Sequence, residues 1–160
     1  MLLSDAIRRG SAATARFPTE TIYRGTRLYH GTNVAEPFEE DGVGTPDGPA
    51  WFSNARSAAS YFALDYHQSR GGTARVLVYE VTRAIPKIAS VRSKESFDRL
   101  LAMIGLDPEL VEAGMEEIRD AMATQKRFNG WNIHDNYQPG DDILLVSPEN
   151  YLRFLRVEPA

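Results

Sequence analysis

Leu28-Tyr29-His30-Gly31-Thr32 is a strand-like run that ends in a histidine, a glycine and a hydroxyl residue. A histidine followed directly by a permissive backbone position and a hydroxyl can build a nucleotide-binding corner. Just upstream, residues 21–24 (Thr21-Ile22-Tyr23-Arg24) have the same strand character, and Gly25 between the two runs reads as a turn. Further upstream, Leu3, Ala6, Ile7, Ala13 and Phe17 recur at loosely helical spacing before Pro18, with Arg8, Arg9 and Arg16 available to water. Residues 1–17 therefore read as an N-terminal surface helix interrupted near Gly10.

Downstream of Thr32, residues 36–49 hold five acidic residues, no basic ones, three glycines and three prolines, the composition of a surface loop long enough to act as a lid. Residues 54–70 carry Ala55, Ala58, Ala59, Phe62, Ala63 and Tyr66 on one helical arc, stopped by Gly71-Gly72, with Tyr61 off the arc. Residues 74–81 are almost continuously apolar and read as a strand buried on both faces. Two helices follow, over 93–104 with Ser93 as N-cap and over 108–125 with Asp107-Pro108 at its start. Together they make 93–127 look like a helical insertion, its stripe formed by Leu110, Val111, Met115, Ile118 and Met122. Strands over 142–147 and 151–157, separated by Pro148-Glu149-Asn150, close the chain. Strands and helices do not alternate strictly, so the chain reads as one α+β domain over 1–160 rather than a doubly wound parallel sheet.

Composition narrows the function. At 42% hydrophobic and 25% charged residues the chain has the make-up of an ordinary globular domain, not a disordered one. A net charge of −4 argues against a broad nucleic-acid footprint, though not against nucleic acid presented to a local cleft. Cysteine is absent, which excludes disulfides and thiolate chemistry. No run approaches the ~20 apolar residues of a membrane span, and the N-terminus lacks a signal-peptide core, so the expectation is a cytoplasmic protein without membrane contact. His30, His67 and His134 form no i, i+4 pair, and no metal is expected. G-x-S-x-G, P-loop and G-x-G-x-x-G motifs are missing, so any nucleotide site is of another kind.

Three motifs in order carry a resemblance. Tyr29-His30-Gly31-Thr32, then Ala50-Trp51-Phe52-Ser53 leading into Ser57-Ala58-Ala59-Ser60-Tyr61-Phe62, then Asp142-Ile143-Leu144-Leu145-Val146, together resemble ADP-ribosyltransferases of the diphtheria-toxin and poly-ADP-ribose-polymerase type. That pattern is a histidine-glycine on the first core strand, aromatics on the second strand and its helix, and an acid opening a late strand. The resemblance implies a split, strongly bent antiparallel sheet with peripheral helices. It implies mono-ADP-ribosyl transfer from NAD, without a metal, to a macromolecular acceptor, protein or nucleic acid. A toxin or effector of bacterial or phage origin, with a neutralising partner protein, is compatible with the resemblance, but neither source nor partner is legible in the residues.

By the same resemblance His30 holds a ribose hydroxyl, the Gly31 backbone pairs with the nicotinamide carboxamide, and Thr32 offers a hydroxyl to the adenine-side ribose. Tyr61 would stack on the nicotinamide; Trp51, Phe52 and Ser53 would line the pocket. Asp142 would stabilise the positive charge that builds on the ribose as the glycosidic bond breaks. Two positions depart from the pattern: Trp51 stands where tyrosine is usual, and Asp142 where glutamate is usual. Aspartate is one methylene shorter, so its backbone must come closer, and Asp141 and Glu149 are the other candidate acids. Tyr23-Arg24-Gly25 superficially fits an arginine-led branch, but the paired late acids of that branch are missing near Asp141-Asp142. Alternatives are a fold-keeping NAD-binding module without turnover, an NAD hydrolase, or an enzyme removing an RNA 2′-phosphate with NAD. Taken singly, His30 reads as a strand-end histidine satisfied by backbone, Phe52 as a core residue, and His67 and His134 as surface or structural residues.

Overall fold

The computed structural model describes residues 17–33, 45–109, 115–134 and 139–160. The expected N-terminal helix, apart from Phe17, most of the acidic loop and part of the helix expected over 108–125 lie outside the described residues. The strands are β1 (Thr19–Ile22), β2 (Arg27–Thr32), β3 (Ala50–Ser53), β4 (Arg75–Val81), β5 (Ile85–Val91), β6 (Gly130–Ile133), β7 (Asp142–Leu145) and β8 (Leu152–Pro159). The helices are α1 (Arg56–Arg70), α2 (Lys94–Met103) and α3 (Met115–Thr124). All the strands join one mixed eight-stranded sheet in the order β1-β5-β6-β7-β3-β2-β4-β8. The α+β class holds, but the sheet is not wholly antiparallel as expected, because β5 and β6 pair in parallel. Parallel neighbours need a long crossover connection. The segment 93–127 that reads as an insertion supplies it, carrying α2 and α3 from β5 to β6.

Local chemistry explains the elements. In β4, Val76 and Val78 face one side and Leu77, Tyr79 and Val81 the other, and all are buried, so both faces of this strand are apolar. α1 ends where Gly71 adopts φ 77°, a left-handed turn that costs glycine nothing. α2 starts at Ser93, whose side chain accepts from the Ser96 amide while Ser96 reaches back to the Ser93 amide, a reciprocal cap built from two serines.

Three apolar clusters hold the layers. In one, the buried members among the described residues are all on strands, with Leu28, Tyr79, Ile85 and Ile88 at 0% exposure, and it reaches from Ile22 on β1 to Leu152 on β8. The opposite face carries the helices in two groups. In one, Leu100 and Leu101 of α2 and Met122 of α3 pack with Ala89, Trp131 and Leu144 of the sheet. In the other, Ala59 of α1 packs on Val76 and Val78 of β4. Between the two helical groups, over β2, β3 and β7, the sheet face is left as a groove.

Candidate functional site

The groove coincides with a seam in the sheet. β2 and β4 are in register over Arg27↔Glu80 to Thr32↔Arg75, and β3 and β7 over Ala50↔Leu145 to Ser53↔Asp142, whereas β2 and β3 share only Tyr29↔Ser53. Beyond that pair the two strands part. His30 spans the gap, its Nδ1–H donating to the Trp51 carbonyl oxygen at 2.6 Å. A cleft of about 490 Å3 opens here, within the range that takes small organic ligands. Tyr29, His30, Gly31, Trp51, Phe52, Ser53 and Asp142 form its base, Ala59, Phe62 and Tyr66 of α1 one wall, Glu116 and Arg119 of α3 the other, and Pro46, Asp47, Pro49 and Ala50 its remaining edge.

The distant sequence motifs thus converge: His30, Gly31, Trp51, Phe52, Ser53 and Asp142 all line one cleft. Pairing with Ser53 puts Asp142 on the strand face shared with Leu144, the face that carries the helices. Asp141 and Glu149 do not line the cleft; Asp141 is held by Asn54, and Glu149 accepts from the Gly48 amide at 3.2 Å. Two expected residues lie elsewhere. Thr32 is buried outside the lining. Tyr61 is 66% exposed on the outer side of α1, its ring against Phe62. The aromatic wall comes from Phe62 and Tyr66, with the Arg70 guanidinium 5.2 Å from the centre of the Tyr66 ring. Their place on the apolar arc of α1 made them look like core. Arg119 has no sequence signal beyond its place on a polar helix face.

Trp51 bridges cleft and core: it lines the pocket while its ring packs 5.7 Å from Trp131. Phe52 packs against His30 at 5.8 Å and Tyr79 at 5.5 Å, fixing the imidazole from the side opposite the helices.

The electrostatics of the site are set by burial. Desolvation pushes the His30 imidazole below its ordinary value, and the Trp51 carbonyl offsets this only in part. With Nδ1 carrying the proton, the neutral ring turns Nε2 into its acceptor. Because the folded value lies below the unfolded one of about 6.5, the unfolded chain takes up the proton first as pH falls. The His30 contribution to stability is complete above that pH and is lost as pH drops through the folded value. An NMR titration should therefore show the His30 ring more than half neutral at pH 6.5, and a ring half-protonated or more there would contradict the buried geometry.

Behind the cleft lies a second polar cluster. His134 Nε2 stands 2.6 Å from Glu20 Oε2, and His134 Nδ1 3.2 Å from Asp141 Oδ2. Burial pushes the Glu20 carboxyl up, but hydrogen bonds from His134, Asn132 and Ser90 and the charge of His134 outweigh it and leave Glu20 below its usual value. Among the described residues no group of three or more histidine, cysteine, aspartate or glutamate side chains is disposed to hold a metal ion. No helix among them is long and apolar enough to cross a membrane. The chain matches no protein-family model, no curated protein and no solved structure.

Proposed function

We propose that this protein cleaves NAD at the bond between nicotinamide and ribose and transfers the ADP-ribose to a macromolecular acceptor. The observation that supports it most is the meeting of His30 and Gly31 from β2 with Asp142 from β7 in one cleft at the sheet seam. Nothing in their spacing along the chain requires that meeting. Neutral His30, its Nδ1–H spent on Trp51, accepts a ribose hydroxyl at Nε2. At Gly31 the pairing of β2 with β3 has ended, so its backbone edge faces the cleft and a carboxamide can reach it without meeting a side chain.

The cleft offers charge of both signs, as the dinucleotide does, although Arg119 also meets Asp120 Oδ1 at 3.3 Å. NAD carries a positive nicotinamide and a doubly negative diphosphate. The acidic lining residues are Asp47, Glu116 and Asp142, and Arg119 is the one cation among the described lining residues. Arg119 is then the partner for the diphosphate, whose planar guanidinium suits bidentate contact with phosphate oxygens. Asp142 takes the other end, where positive charge grows on the ribose as neutral nicotinamide departs. Tyr66 and Phe62 supply the flat apolar wall for the nicotinamide ring, the role expected of Tyr61.

Release of free nicotinamide from NAD, with and without a crude lysate as acceptor pool, tests the reading. Lysate-dependent release that is lost in His30→Ala supports transfer. Release without acceptor selects an NAD hydrolase instead. Binding of NAD with no release under either condition leaves a nucleotide-binding module. In the same assay Arg119→Ala should raise KM for NAD about tenfold, the scale of one charge-assisted hydrogen-bond pair, with a smaller change in kcat.

A further inference from the structure

We propose that Asn54, Asn132, His134 and Glu20 are positioning residues for Asp142, acting through its neighbour Asp141; the inference rests on the NAD-cleaving reading above. Asp141 Oδ2 is met at 3.2 Å by Asn54 Nδ2, at 3.2 Å by Asn132 Nδ2 and at 3.2 Å by His134 Nδ1. The Asp141 amide donates to Asn54 Oδ1 at 2.8 Å, so one asparagine grips both the main chain and the side chain of Asp141. The outer ring closes through Glu20, whose Oε1 accepts from Asn132 Nδ2 at 2.8 Å and whose Oε2 lies 2.6 Å from His134 Nε2. These residues come from β1, the junction of β3 with α1, β6 and the segment just after β6, so the clamp fixes Asp141 against the sheet from several sides.

Gly140 tightens the same junction. Its φ is 88°, and a Cβ there would stand 2.4 Å from Ala55 Cβ and 2.9 Å from Ser53 Oγ, so the chain before Asp141 lies directly on the 53–55 turn. Asp142 follows at once, registered opposite Ser53 and Ile133. Placement of its backbone matters more than it would for glutamate, because a short side chain has fewer torsions with which to recover a misplaced carboxylate. A displacement of about 1 Å can cost on the order of 10²-fold in rate.

The cluster is also poorly explained as a device for stability. Asn132 is 4% exposed; its amide nitrogen donates to the two carboxylates, and its Oδ1 has no hydrogen-bond partner among the described residues. A buried acceptor left unpaired is destabilising. Retaining an incompletely satisfied polar network beside Asp142 suits a positioning role better than a stabilising one.

The test is steady-state nicotinamide release by Asn54→Ala and Glu20→Gln, assayed well below the melting temperature of each, beside Leu152→Ala on the far edge strand as a control for lost stability. The expected result is a fall in kcat of about tenfold in both network variants, with KM for NAD within twofold, and an unchanged kcat in the control. A kcat within twofold of the natural chain in either network variant would overturn the proposal, as would an equal fall in the control. No release from the natural chain would overturn the NAD-cleaving reading itself, and the positioning role with it.

Discussion

Asp142→Ala is expected to slow nicotinamide release from NAD by roughly 10²–10³-fold while leaving NAD affinity within a few-fold. The expectation follows from where the charge is needed. Asp142 opens β7 opposite Ser53, lines the cleft with His30 and Gly31, and is the lining carboxylate carried by the strand paired to β3 at the seam. On the proposed reading, ground-state binding of NAD would draw on Arg119, the Tyr66 wall and the Gly31 backbone, none of which the substitution touches. Charge on the ribose appears only as the bond breaks, so the carboxylate acts on kcat rather than on binding. Asp142→Asn separates charge from shape: the amide has almost the same volume and can still accept a hydrogen bond, yet it cannot balance a cation. It should lose nearly as much as alanine. An asparagine variant at full rate would show that Asp142 supplies only a hydrogen bond, and the acid would have to be sought elsewhere.

What the sequence made legible follows from the range of the forces involved. β2, β4, β7 and β8 announce themselves through β-branched and aromatic runs, and α1 and α2 through periodicity and caps, all of which act within a few residues. β5 was missed because it opens Ile85-Pro86-Lys87, where proline reads as a break and Lys87 takes φ 56°, a conformation few side chains adopt. β6 was missed because it is four residues long and begins with Gly130, a residue that reads as a turn. There the absent side chain is what allows close packing, since a Cβ would lie 2.0 Å from the Leu144 carbonyl oxygen. The site divides the same way. His30, Gly31 and Asp142 stood out as short motifs. Tyr66 did not, because helical periodicity tells which face turns inward but not whether the inward face meets core or cleft. The clamp on Asp141 was invisible, since it joins Glu20, Asn54, Asn132 and His134 across separations that only the sheet order closes.

Gly31→Ala is expected to damage fold and site together, lowering the unfolding free energy by about 3 kcal/mol, the upper part of the usual cost of overpacking. A Cβ at Gly31 would lie 2.0 Å from the Ala59 carbonyl oxygen and 3.0 Å from the Ala63 amide nitrogen, both backbone atoms of α1 that no rotamer can move aside. The close approach depends on small residues on the facing side: Ala58, Ala59 and Ala63 are the buried residues of the helix. Relief requires α1 to back away from β2, and α1 is tied at its start by Arg56, which bonds Glu158 at 2.7 Å and the Pro159 carbonyl at 2.6 Å. The helix would therefore tilt about that end, carrying Phe62 and Tyr66 out of the cleft wall. Urea denaturation measures the first consequence, and calorimetry of NAD binding to the folded variant the second. An alanine on an exposed position of α1, as in Ser69→Ala, should change neither by a comparable amount. If Gly31→Ala folds with natural stability and binds NAD as tightly, the direct seating of α1 on β2 is wrong, and with it the account of how the aromatic wall is held over His30.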